Sequence, residues 1–116
     1  MSEHYATLEK PNDTYAVYLN GEKIAESTSV IILSEFKDGK AFKPVIYFPM
    51  DCLDSITKTE HNSFCPIKGT ASYFSYGDIE NAIWSYEAPI QGLEAIKGYI
   101  GFDLSKGFEI TFDISD

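Results

Sequence analysis

A mainly β fold is predicted for this chain, as two antiparallel sheets in a small sandwich or partly open barrel. Three observations carry that prediction. Short runs of β-branched and aromatic residues recur along the chain, separated by Gly, Pro, Asn and Asp. One turn, Asn20-Gly21, is the strongest short hairpin signal and sits between two apolar runs. Near the end, Phe108, Ile110, Phe112 and Ile114 alternate with Glu109, Thr111 and Asp113, the pattern of a half-buried strand.

Taken in order, residues 1–13 read as a loosely held N-terminal arm, and residues 14–116 as a single β domain. "TYAVYLNGEKIAES" is a hairpin, and "VIILSEF" a third strand. "DGKAF" is a turn, and "PVIYFP" a short strand closed by Pro49. "MDCLDSI" suits one helical turn, and "KTEHNSF" is extended or irregular. "IKGTASYFSYG" is a strand with Gly69 as a candidate bulge, followed through "YGDIEN" by the strand "NAIWSYEAP". "IQGLEAIKGY" offers the one short helix, near 91–98, with Leu93 and Ile96 on one face. "IGFD", the turn "LSKG" and "FEITFDIS" form a last hairpin.

The chain has 116 residues, the size of one domain, with 44% hydrophobic and 15% aromatic residues to fill a core. Its formal charge is −9, and all nine of its basic residues are lysines. Nucleic acid is a poor match, because backbone binding needs a basic surface and base readout favours arginine. Lacking arginine, any anion site must use lysine, backbone N–H groups or hydroxyls. No apolar run approaches the roughly 20 residues of a membrane helix. The N-terminal stretch is polar and unlike a signal peptide, so a cytoplasmic location and no membrane partner are expected. Cys52 and Cys65 are expected as free thiols, too far apart for a C-x-x-C redox or zinc pair. No metal site and no cofactor signature is read, and the oligomeric state is left open.

Strand alternation places Tyr73 with Ala71 on one face, opposite Phe74 and Tyr76. It likewise groups Ala82, Trp84 and Tyr86 opposite Ile83. If the two strands pair, Tyr73, Trp84 and Tyr86 cluster, and Tyr47 joins them. Such a cluster is either a core built of large rings or an aromatic-lined pocket, since each O–H and N–H needs a partner when buried.

"HNSFCPIKGTASYF" brings His61, Cys65 and Lys68 within eight positions. A nearby cation would favour the Cys65 thiolate, a nucleophile or redox centre. The plain alternative is a buried, inert cysteine. In a regular strand Cys65 and Lys68 point oppositely unless Pro66 or Gly69 bends the chain. Lys68 is either an exposed lysine, a partner for Asp51 or Glu35, or a cation for an anionic ligand. Asp51 most simply caps its helical turn.

The strings "VIYFPMDCL", "FCPIKGTASYF", "AIWSYEAP" and "AIKGYIGFD", in this order and spacing, resemble the family catalogued as domain of unknown function 427. The resemblance covers roughly residues 14–114 and marks Tyr47, Asp51, Cys65, Lys68, Tyr73, Trp84 and Tyr86 as family positions. It implies a tent-like pair of β-sheets, similar to methionine sulfoxide reductase B and the thalidomide-binding domain of cereblon. The structural zinc of those relatives is not carried over, because the chain has no C-x-x-C knuckle. A nucleotidyltransferase label attached to the family finds neither a Gly-rich phosphate loop nor a clustered pair of carboxylates here. The expected function is therefore a small-molecule binding module using Tyr47, Asp51, Tyr73, Trp84 and Tyr86. The alternative is an enzyme in which Cys65 acts with Lys68 or His61.

Overall fold

Backbone hydrogen bonding sorts the chain into two antiparallel sheets that share one core. The computed structural model describes residues 4–90 and 92–113. The strands are β1 (His4–Glu9), β2 (Thr14–Leu19), β3 (Glu22–Ser27), β4 (Ile31–Lys37), β5 (Lys40–Ala41), β6 (Val45–Pro49), β7 (Ile56–Cys65), β8 (Gly69–Tyr76), β9 (Ile79–Tyr86), β10 (Tyr99–Phe102) and β11 (Phe108–Asp113). The large sheet runs β1-β4-β6-β10-β9-β8-β7, with β5 pairing β4 off that path. The small sheet runs β11-β2-β3. The mainly β class and the two-sheet arrangement agree with the sequence prediction.

The β2–β3 hairpin forms where Asn20-Gly21 predicts it. Both residues have positive φ, 53° and 81°, as a two-residue turn matched to strand twist requires. The predicted pairing of β8 with β9 also holds, with Tyr73 opposite Trp84 and Ala71 opposite Tyr86.

Alternation then gives the large sheet two buried faces. Adjacent residues go to opposite sides: Tyr47 to one and Phe48 to the other, Tyr73 against Phe74, Trp84 against Ile83. Phe48, Phe74, Ile83, Ile100 and Phe102 pack against Tyr15, Val17 and Phe108 of the small sheet. Ile31, Leu33, Tyr47, Ala71, Tyr86, Leu93 and Ile96 form a second core on the far face. Ala82 departs from its predicted partners. It packs in the first core beside Ile83, because Asn81 before it takes the left-handed conformation (φ 51°) and interrupts the alternation.

Other expectations change. The arm over residues 1–13 is, from His4 to Glu9, a strand paired with β4 from Lys37 to Ile32; residues 1–3 lie outside the described residues. Its side chains alternate in burial, and Ala6 and Leu8 pack on the second core. A six-residue strand with polar alternate positions carries a weak signal alone and is fixed by its partner. The helix near 91–98 reduces to one 3-10 turn, Glu94–Ile96, which buries Ile96; Gln91 lies outside the described residues. Gly92 and Gly98 flank that turn with positive φ, so the segment cannot propagate as a helix. The last hairpin does not form. β10 pairs with β6 and β9, whereas β11 crosses to β2 in the other sheet, after the 3-10 turn Leu104–Lys106. The bulge proposed at Gly69 lies elsewhere: Gly69 pairs with Cys65, and the register shifts between Lys58 and Asn62.

Candidate functional site

The second core is where Tyr47, Cys65, Tyr73, Trp84 and Tyr86 of the predicted site meet. One transverse row of the large sheet reads Tyr73, Trp84, Gly101, with Tyr47 on the next strand opposite Ile31. Gly101 is what lets the row close. A Cβ there would stand 2.6 Å from the Trp84 indole, well inside contact distance, so the ring lies across bare backbone. From that position Trp84 Nε1 donates to Tyr47 Oη at 3.2 Å, and the two rings meet edge to face at 6.3 Å between centroids. Tyr47 is fully buried, and Tyr86 is nearly so. Burial pushes the Tyr47 phenol up to about 12, with the Cys65 thiol and Glu35 carboxylate adding to the shift against the Trp84 hydrogen bond. Burial likewise raises Tyr86, with Tyr47 and Cys65 contributing. Both phenols are neutral donors and acceptors at physiological pH, not bases.

A polar cluster closes this face. Lys68 Nζ lies 3.2 Å from Glu35 Oε1, and His4 Nε2 lies 2.7 Å from Glu35 Oε2. The Lys68 side chain is only 12% exposed, and its Nζ sits 5.6 Å above the Tyr86 ring. Glu35 belongs to β4 and Lys68 to the turn before β8, four strands apart in the sheet order. Flat, four steps would span roughly 19 Å at about 4.8 Å per strand. The sheet therefore curls so that its two wings face each other, and this ion pair joins them. Burial raises the Glu35 carboxyl, but the His4 hydrogen bond and the Lys68 charge outweigh it and hold the carboxyl below its ordinary value.

The Cys-Pro-x-Lys motif has a local explanation. Lys68 N–H donates to Cys65 C=O at 3.2 Å, so Pro66–Lys68 is a turn and not strand. That turn brings Lys68 back over the face that Cys65 joins, which a regular strand would not do. Cys65 is a partly buried free thiol among the second-core residues. His61 is exposed, with its ring 4.6 Å from the Tyr73 ring, and Ser63 Oγ lies 3.0 Å from Tyr73 Oη. The two side chains expected to activate the thiol thus each have another partner: Glu35 for Lys68, Tyr73 for His61.

Asp51 is not brought into this group. It is exposed on the 3-10 turn Met50–Cys52, where Pro49 is the N-cap and no side chain caps. Its neighbour Cys52 packs on the first core, and burial there pushes that thiol up to about 11. Glu35, not Asp51, is the carboxylate of Lys68. The sequence offers Glu35 as one of two partners for Lys68 but gives no sign of His4, because nothing in it says that the two chain segments pair.

The open space lies beside the rings. A cleft of about 520 Å³ is walled by Val45, Ile46, Trp84, Phe102, Leu104 and Ile110, where β6, β9, β10 and β11 converge. Lys43, Asp103 and Ser105 also line it. Its size and apolar walls are those of a small-molecule pocket. Trp84 is thus shared: one edge bonds Tyr47 in the core, and another part faces the cleft. Sequence alternation found Trp84, but Leu104 and Ile110 come from segments with no local relation to it. Among the described residues no group of three His, Cys, Asp or Glu side chains is placed to hold a metal, and no helix is long and apolar enough to cross a membrane.

A comparison of the sequence with curated proteins finds no match. A family model described as NTP_transf_9, domain of unknown function (DUF427), matches residues 7–113. Spanning nearly all of the folded chain, that match establishes that this protein belongs to the DUF427 family.

Proposed function

We propose that the protein is a small-molecule binding module, and that its ligand occupies the cleft beside Trp84. The cleft itself carries this reading: about 520 Å³, apolar on most sides, with an indole as one wall. In this reading Tyr47 is a positioning residue, holding Trp84 through the 3.2 Å hydrogen bond. Tyr86 and Tyr73 form the packed support behind it. The two free thiols, one of them partly buried beside the site, suit a reducing, cytoplasmic setting.

Trp84 is the sole tryptophan, so its emission reports the site directly. The test uses a neutral apolar probe, N-phenyl-1-naphthylamine, titrated against the native protein. Saturable quenching of Trp84 emission is expected, and Leu104→Glu should abolish it. Leu104 is exposed, so that change leaves the core intact. Quenching that never saturates, or that survives Leu104→Glu unchanged, sinks the reading.

A further inference from the structure

The cleft contains one feature that an apolar pocket does not need. Lys43 lines it and makes no hydrogen bond or ion pair with the described residues. Four other lysines are engaged, whereas Lys10, Lys37, Lys40 and Lys97 are, like Lys43, without a side-chain partner among the described residues but lie outside this cleft. Lys23 pairs with Glu26, Lys58 with Glu87, and Lys68 with Glu35. Lys106 donates to the backbone carbonyls of Glu80 and Asn81. An unpaired ammonium at the rim of apolar walls is the natural anchor for a negative charge.

The cleft's own carboxylate does not compete for that role. Asp103 Oδ1 accepts from both the backbone N–H and the hydroxyl of Ser105, so it is turned into the 3-10 turn it caps. The chain has no arginine, and Lys68, a mostly buried cation, is already bound to Glu35. Lys43 is therefore the cation available to an anion at the cleft. The overall charge of −9 repels anions at long range, so selectivity has to come from that contact and not from steering.

We propose that the cleft takes a small amphiphile with an apolar body and one anionic end, a carboxylate or sulfonate, which pairs with Lys43. The body lies against Trp84, Phe102 and Ile110, and the charged end faces the rim. This inference rests on the binding reading given above and narrows it to a ligand class.

Two probes share one ring system and differ in the charge. N-phenyl-1-naphthylamine is neutral; 8-anilinonaphthalene-1-sulfonate carries one sulfonate. Both are titrated against native protein and Lys43→Gln, following Trp84 emission. The anionic probe is expected to lose about fivefold in affinity in Lys43→Gln, and the neutral probe to be unchanged, the size of a partly exposed charge pair. Lys43→Glu should extend the loss for the anion alone. If both probes bind but the variants treat them alike, Lys43 is a solvated lysine and the amphiphile proposal is overturned while the binding reading stands. If neither probe binds the native protein, both fall together.

Discussion

The two faces of the large sheet are both buried, yet they are built differently. The large sheet closes the face under the small sheet mainly with groups that have no polar tip, Phe48, Ile83, Ile100 and Phe102, and Tyr15 of the small sheet packs on them. Phe48 and Phe102 meet edge to face, and Phe102 packs on Phe108. Among the described residues, the other face has no second sheet above it. It is closed by the sheet's own curl, with Leu93 and Ile96 inserted and polar groups at its contacts: Tyr47 to Trp84, and Glu35 to Lys68 and His4. The first face holds mainly by area and shape. The second needs particular partners, because each buried polar tip requires one. That is the difference between a core that tolerates substitution by size and one that is specified atom by atom.

This contrast sets the expected order of effects. Phe48→Ala should be the most damaging change, destabilising by about 3–5 kcal/mol in chemical denaturation, as loss of a buried ring leaves a cavity. Gly101→Ala comes next, at about 1–3 kcal/mol, because its methyl must push the Trp84 ring aside. It should also change Trp84 emission, which Phe48→Ala in a still-folded sample should leave nearer native. A Gly101→Ala protein with native stability and emission would mean the ring is loosely held, and the second face would lose its special character.

Tyr47→Phe is smaller again, about 1–2 kcal/mol, since it keeps the ring but leaves the indole N–H without its acceptor. It also sharpens the comparison through pH. The folded phenol ionises near 12, above the ~10 of an unfolded tyrosine, so its contribution is fully present below pH ~10 and is lost as pH rises toward 12. Alkaline titrations of stability should therefore fall less steeply in Tyr47→Phe than in native protein. Equal slopes would assign the alkaline loss to other groups, Tyr86 first among them.

Glu35→Gln tests the wing-to-wing ion pair from the acid side. The folded carboxyl titrates below its unfolded value of ~4.3, so its stabilisation is present above that pH and disappears as pH falls through the folded value. Native protein should lose stability over that acid window, and Glu35→Gln should show a flatter acid limb while being less stable at neutral pH. Trp84→Phe removes the same hydrogen bond and part of the ring over Gly101, so it should cost at least as much stability as Tyr47→Phe, with a clear loss of probe binding read from the probe's own emission. The same loss of stability with binding intact would make Trp84 a core residue only.

Much of this was legible in the chain, for a physical reason. Period-two alternation is a local property, so Tyr47 against Phe48, Tyr73 against Phe74, and Trp84 against Ile83 could each be assigned to opposite faces from their own strands. The Asn20-Gly21 turn is equally local, because the backbone angles it needs are set by the residues themselves. Where the reading failed, the deciding partner was remote. His4–Glu9 becomes a strand only because β4 offers an edge, and "GLEAIKG" is held to one 3-10 turn by its flanking glycines and by docking Ile96 into a core built elsewhere. Phe108 and Ile110 turn inward as the alternation predicts, whereas Phe112 is exposed, and nothing in the sequence says that Phe108–Asp113 pairs with β2 and not with the preceding strand.

The site divides along the same line. The sequence by itself determined which rings share a face once the strands pair, that any anion site here has no arginine to use, and that the Cys65–Lys68 segment would have to bend for both side chains to act together. Tertiary structure alone decided that Lys68 meets Glu35, not Asp51, and that His4 completes the group. It also decided that Gly101 makes room for Trp84, and that Lys43 lines the cleft with Leu104 and Ile110. The reason is that alternation and turn chemistry are written within a few residues, whereas the curl of a seven-strand path is the sum of every pairing and twist along it. Only that sum brings two wings, four strands apart, to within 3.2 Å.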